Sequence, residues 1–169
     1  MKHVFRLVCV LAVVGLASKA RAQSPQRIVG NRISGEMHLD PRNDTVTETA
    51  TLTFQSGDRG PVYTIDFVAR HPVKGPVASP GVVDIVVTQH PLEDDTPEMT
   101  LRVDGEAVPL VTRLHSRRSV VATVSLAELD RITSAGAVVD RTFDTELELG
   151  AGQLQMLRAT ADRWLGRVR

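Results

Sequence analysis

TVTETATLTF, residues 45–54, alternates with a period of two. Thr45, Thr47, Thr49, Thr51 and Thr53 fall on one side. Val46, Ala50, Leu52 and Phe54 fall on the other, with Glu48 the single departure. Successive side chains of a strand point to opposite faces, and threonine and valine suit a pleated surface, so this stretch predicts a half-buried β-strand.

The same period extends in both directions. Gly57-Asp58-Arg59-Gly60-Pro61 is a turn cluster, and Val62 to Arg70 alternates again with Tyr63, Ile65, Phe67 and Ala69 on one side. Residues 71–81 hold three prolines and two glycines and read as a loop, because proline removes ladder donors. Val82 to Thr88 is β-branched on both faces, the mark of a central strand. Asp104-Gly105 between two short apolar runs predicts a type I′ hairpin, in which both turn residues need positive φ. Pro109 belongs on an edge, and Arg118 to Val124 is a further strand. The period then changes. Ser125-Leu-Ala-Glu128 is a capping box, and Leu126, Leu129 and Ile132 give a short helical stripe near 126–134. Residues 137–149 return to period two, with Val139, Phe143, Leu147 and Leu149 expected inside and Asp140, Thr142, Asp144, Glu146 and Glu148 outside. From 152 to 167, Leu154, Leu157, Ala161, Trp164 and Leu165 form one stripe of a C-terminal helix.

Roughly six to eight strands before the first helix, without βαβ alternation, exclude a doubly wound parallel sheet. The prediction is a mainly β chain, an antiparallel β-sandwich or partly open barrel, with the last helix over an end or open edge. Residues 36–169 form this single domain, and 23–35 read as a loose leader.

The start of the chain carries an address. Lys2, His3 and Arg6 precede a ten-residue apolar run, Leu7 to Leu16, followed by Ala20 and Ala22 in A-x-A spacing. That is a secretory signal over residues 1–22, cleaved after Ala22; the run is too short to span a bilayer as an anchor. The expected location is periplasmic or extracellular, with no stable membrane insertion after cleavage. Cys9 sits inside the apolar run behind the bulky Val8, which is no lipidation site. The processed chain would then hold no cysteine and no disulfide. The full chain balances 20 Lys+Arg against 20 Asp+Glu. Cleavage removes Lys2, Arg6, Lys19 and Arg21 and no acid, leaving sixteen bases and a net charge of −4. That balance disfavours nucleic acid as a partner.

Few residues point to chemistry. Glu36, His38 and Asp40 lie at i, i+2 and i+4, one face of a strand, and carry ligand atoms for a divalent ion. Alternate side chains on a strand stand about 6.6 Å apart, too far for three to converge unaided, so a solvated face is the simpler reading and no metal or cofactor is expected. Asp40, Asn43 and Asp44, and likewise Glu93, Asp94, Asp95 and Glu98, offer oxygens but lack a calcium-loop spacing. His71 and His90 each precede proline in an extended segment. Ser116 and Ser119 flank Arg117 and Arg118 beside His115, with nothing in the spacing to mark a triad. The threonine row alone lacks the matching strands that a flat ice-binding surface needs, and no nucleophile elbow or phosphate loop occurs. Trp164, the sole tryptophan, is either a core anchor for the last helix or a partner-binding residue.

Three functions fit this pattern. The first is an exported, non-enzymatic binding or accessory module of the cell envelope with an unknown protein partner. The second is a secreted hydrolase with a carboxylate/histidine site built from loops. The third is an envelope complex subunit that uses an exposed strand edge or the C-terminal helix.

Overall fold

The computed structural model describes residues 26–30, 32–40, 42–73, 80–90 and 98–167. The signal segment, Lys74 and the acids Glu93, Asp94 and Asp95 lie outside the described residues. The elements in chain order are β1 (Gln26–Val29), β2 (Arg32–Asp40), β3 (Thr45–Gln55), β4 (Val62–Pro72), β5 (Val82–His90), β6 (Thr100–Val103), β7 (Glu106–Val108), β8 (Thr112–Ser116), β9 (Ser119–Ser125), α1 (Leu126–Ser134), β10 (Val138–Thr142), β11 (Thr145–Glu148) and α2 (Ala151–Trp164). They form two sheets, β2-β3-β4-β5-β9-β8 and β1-β11-β10-β6-β7. The chain is mainly β and antiparallel-dominated; β1 beside β11 is the one parallel pairing among the described strands. The sheets pack on each other and do not close into a barrel.

The alternating stretches set the core. Leu52, Phe54, Tyr63, Ile65, Phe67, Val83, Ile85 and Val87 turn inward from the larger sheet and meet Leu101, Val138 and Leu147 of the smaller one. The threonines of β3 stay half-exposed on the outer face. The smaller sheet covers the Tyr63 end of β4, where the Tyr63 hydroxyl lies 3.1 Å from Thr145 Oγ1. The two helices pack on each other and on β2, β3, β5 and β9.

Local signals explain the ends of elements. Asp104 and Gly105 have φ of 51° and 85°, as a type I′ turn requires. Ser125 Oγ accepts from the Glu128 N–H at 3.2 Å, and Glu128 accepts from the Ser125 N–H at 2.7 Å. Helix α2 stops at Trp164, short of the expected 167. Gly166, at φ 68°, lets the Gly166 N–H reach Arg163 O and the Arg167 N–H reach Asp162 O. That is the Schellman arrangement, and it favours glycine because L side chains resist positive φ.

Three segments differ from the sequence expectation. The leader holds a strand. Ile28 is buried, and Gly30 N–H bonds to Glu148 O at 2.9 Å. With one inward side chain, β1 is too short to show a period. Thr112–Ser116, unassigned from sequence, is edge strand β8. Residues 137–149 are a hairpin and not one strand. Phe143 and Asp144 both have positive φ, 53° and 54°, and Thr142 pairs with Thr145. A two-residue turn shifts the inward parity, so Val138, Asp140 and Thr142 face in before it, and Thr145, Leu147 and Leu149 after it. Phe-Asp lacks the glycine or asparagine that marks most such turns, so Val139, expected inside, lies on the outer side, and Asp140 and Thr142, expected outside, face in.

Candidate functional site

Glu36, His38 and Asp40 share the outer face of β2, as their spacing requires, each opposite a threonine of β3. They do not converge. Asp40 Oδ1 accepts from the Arg42 N–H at 2.9 Å and Oδ2 from Asn43 Nδ2 at 2.7 Å. Those bonds hold its carboxyl below the usual carboxylate range, the Arg42 amide contributing most, and they fix the turn into β3. Among the described residues no three His, Cys, Asp or Glu side chains gather as a metal site. His38, His90 and His115 are exposed on three different strands. Ser116 and Ser119 bond to each other at 2.8 Å, and Ser116 Oγ accepts from the Arg118 N–H at 3.1 Å. They close the β8–β9 turn.

Convergence occurs where α2 packs on β3, with His71 of β4 beside it. Glu48, out of pattern in its strand, points inward. Its Oε2 accepts from Trp164 Nε1 at 3.0 Å and from Arg163 Nη2 at 3.5 Å. Its Oε1 lies 3.6 Å from His71 Nε2. The ring of Trp164 is 2% exposed and belongs to the core. The partner-binding candidate thus anchors the helix and presents only a side wall to solvent. Further bonds fasten α2 along its length. Arg158 Nε donates to Thr133 O at 2.7 Å, and Gln153 Nε2 donates to Arg32 O at 2.8 Å. Beyond the helix, Arg167 forks onto both Asp130 oxygens at 2.7 Å, the bidentate geometry that carries most energy per ion pair.

Between α2 and the free edge of β2 lies a cleft of about 190 Å³, with Gly35, Met37, Glu48, Ala50, Thr160 and Trp164 among its walls. Met37 and Leu39 occupy the inward side of β2, yet they are 70% and 53% exposed. The smaller sheet does not reach this far, because β1 lies against β3. Met156, one helical turn before Thr160, is 53% exposed as well. The cleft thus joins an apolar rim to a carboxylate already bonded to an indole and near an imidazole. His71 Nδ1 has no hydrogen-bond partner among the described residues, and no described hydroxyl bonds to it in the way that an activated nucleophile would.

A second polar group of residues sits at the other end of β4. Gln89 is paired with Tyr63 and faces inward beside it, fully buried. From the smaller sheet come Thr145, bonded to Tyr63, and Thr142, whose hydroxyl donates to Asp140 Oδ2 at 2.7 Å. Both amide atoms of Gln89 and Oδ1 of Asp140 have no described protein partner. Burial pushes the Asp140 carboxyl up to about 7, against the single Thr142 bond that favours ionisation. This end has polar chemistry but no exposure.

Fold and site together define a two-sheet β-sandwich with a helix-walled, partly apolar cleft at one open edge. Compared with known proteins, the chain matches no family model, no curated sequence and no solved structure.

Proposed function

We propose that this chain is an exported, non-enzymatic binding or accessory module, and that it engages a protein partner through the side of the sandwich where α2 flanks β2. One observation carries the reading. Met37 and Leu39 lie on the inward face of the larger sheet but remain largely exposed, beside a cleft whose far wall is α2. A contiguous apolar rim next to a concave, partly polar surface is what partner-binding sites offer. The hydrolase alternative requires histidines and acids gathered in hydrogen-bond reach of a nucleophile. The one histidine–carboxylate ion-pair contact among the described residues, His71–Glu48 at 3.6 Å, is bound into the anchoring of α2. Export is supported by the basic start, apolar run and A-x-A spacing of residues 1–22.

The test is site-directed photo-crosslinking in the native host. A photoreactive residue at position 37 should yield a defined protein adduct, and one at Val111, exposed just before β8 at the opposite edge of the larger sheet, should not. Absence of any adduct at 37, or identical adducts at both positions, contradicts the binding reading. The N-terminus of the exported form should be Gln23; Met1 on a membrane-bound product contradicts export by cleavage.

A further inference from the structure

We infer that the free edge of β2 pairs with the β2 edge of a second copy of this chain, antiparallel and centred on Met37, which joins two larger sheets into one. The inference rests on the reading of this side as a binding surface, and it names the partner.

Strand β2 is nine residues long and hydrogen-bonds to β3 alone among the described strands. Its other side pairs with no described strand and so presents a row of backbone donors and acceptors. Such edges are commonly blocked by charge, proline or a bulge. Here the register with β3 is continuous from Arg32 to Asp40, so no bulge interrupts it. The charges present are Arg32, Glu36, His38 and Asp40 on the outer face. Whether they repel a second copy depends on register.

Directly opposed residues of an antiparallel pair share a face, which limits self-pairing to registers centred on a residue. Centring on Glu36 sets two carboxylates against each other, which is unfavourable. Centring on Gly35 sets Arg32 against His38 and leaves Leu39 beyond the end of the partner strand. Centring on Met37 does neither. It places Glu36 opposite His38 twice, Ser34 opposite Asp40 twice, Leu39 over Gly35 twice and Met37 against Met37. Gly35 has no side chain, and a Cβ there would meet only Thr49 O, at 3.8 Å, so room exists for the second copy's Leu39. Both exposed apolar residues of β2 are then covered. The second copy's Met37 arrives at the mouth of the cleft beside Thr160 and Trp164. A seven-residue strand pair is smaller than a standard interface of about 1,600 Å², so the dimer is expected to be concentration-dependent.

The test uses purified protein carrying Cys9→Ser. Sedimentation equilibrium should show a monomer–dimer equilibrium, and Met37→Lys should weaken it at least tenfold while leaving the circular dichroism of the fold unchanged. Directly opposed residues have Cα atoms about 4.5 to 5.5 Å apart, inside disulfide range. Met37→Cys should therefore form an intermolecular disulfide on mild oxidation. Leu39→Cys should not, since its two copies would stand about 14 Å apart. Cross-linking at 37 and not at 39 supports the pairing. A monomer at every concentration up to about 1 mM overturns it, as does a dimer that cross-links at neither position or equally at both. A monomer that nonetheless gives a heterologous photo-adduct at 37 would refute self-pairing and leave the binding reading standing.

Discussion

The two ends of β4 treat buried polar groups in opposite ways. Tyr63 and His71 lie eight residues apart, about 26 Å along the strand. At the His71 end, an inward carboxylate, Glu48, is served by the Trp164 indole and the Arg163 guanidinium and opens onto a cleft. At the Tyr63 end, Asp140 has no exposure and one hydroxyl donor, and its carboxyl is pushed up to about 7. The same functional group is a helix anchor in one place and a buried acid in the other. Access and donor count make the difference, because desolvation penalises a charge unless hydrogen bonds offset it. A surface can form only at the first end. At the second, the polar groups act on the fold itself.

The largest expected effect lies at the first end. Trp164→Ala removes a core ring and the Glu48 bond together, and should cost about 3 to 5 kcal/mol in chemical denaturation, as buried aromatic truncations do. A cost below about 1 kcal/mol would mean that α2 contributes little to the fold.

The second end should answer to pH. Asp140 holds its proton up to about 7 in the fold but only to about 3.8 when unfolded. Between those values the folded state binds more protons, so this residue's contribution falls as pH rises from about 4 to about 7 and is flat above, by at most about 4 kcal/mol. Asp140→Asn stays neutral throughout. Measured against wild type, its stability should climb over that interval, and a difference constant with pH would show that Asp140 ionises normally. The smallest effect belongs to Gln89, whose amide has no described protein partner. Gln89→Leu should raise stability by about 1 kcal/mol, because an unpaired buried amide is a net cost. A loss of that size would reveal a partner and bring the two ends closer in kind.

Legibility in the sequence divides along the same line. Long alternating stretches announced β3, β4 and β5 and hence the sandwich, and the capping box placed α1. Glu48 was visible as the one polar interruption of an apolar face, though nothing local could say that Trp164 and His71 would meet it, since those contacts span 116 and 23 positions of chain. Asp140 was misplaced for a nameable reason: the Phe143–Asp144 turn flips parity without a glycine to betray it. Strands β1 and β8 were missed because short or wholly exposed segments carry no burial period. Glu36, His38 and Asp40 were correctly grouped on one face, and the β3 pairing shows them spread along it. The exposure of Met37 and Leu39 depends on where the smaller sheet ends, which is a property of the assembled fold.

The central claim is that α2 is docked on the sandwich and walls the cleft. Tryptophan emission tests it most directly, because Trp164 is the only tryptophan in the chain. The native protein should emit at blue-shifted wavelength and move to the red in one transition, coincident with loss of β-sheet circular dichroism. Water-like emission from the native state, unchanged by denaturant while the sheet signal melts, would contradict the docking of α2 and with it the cleft.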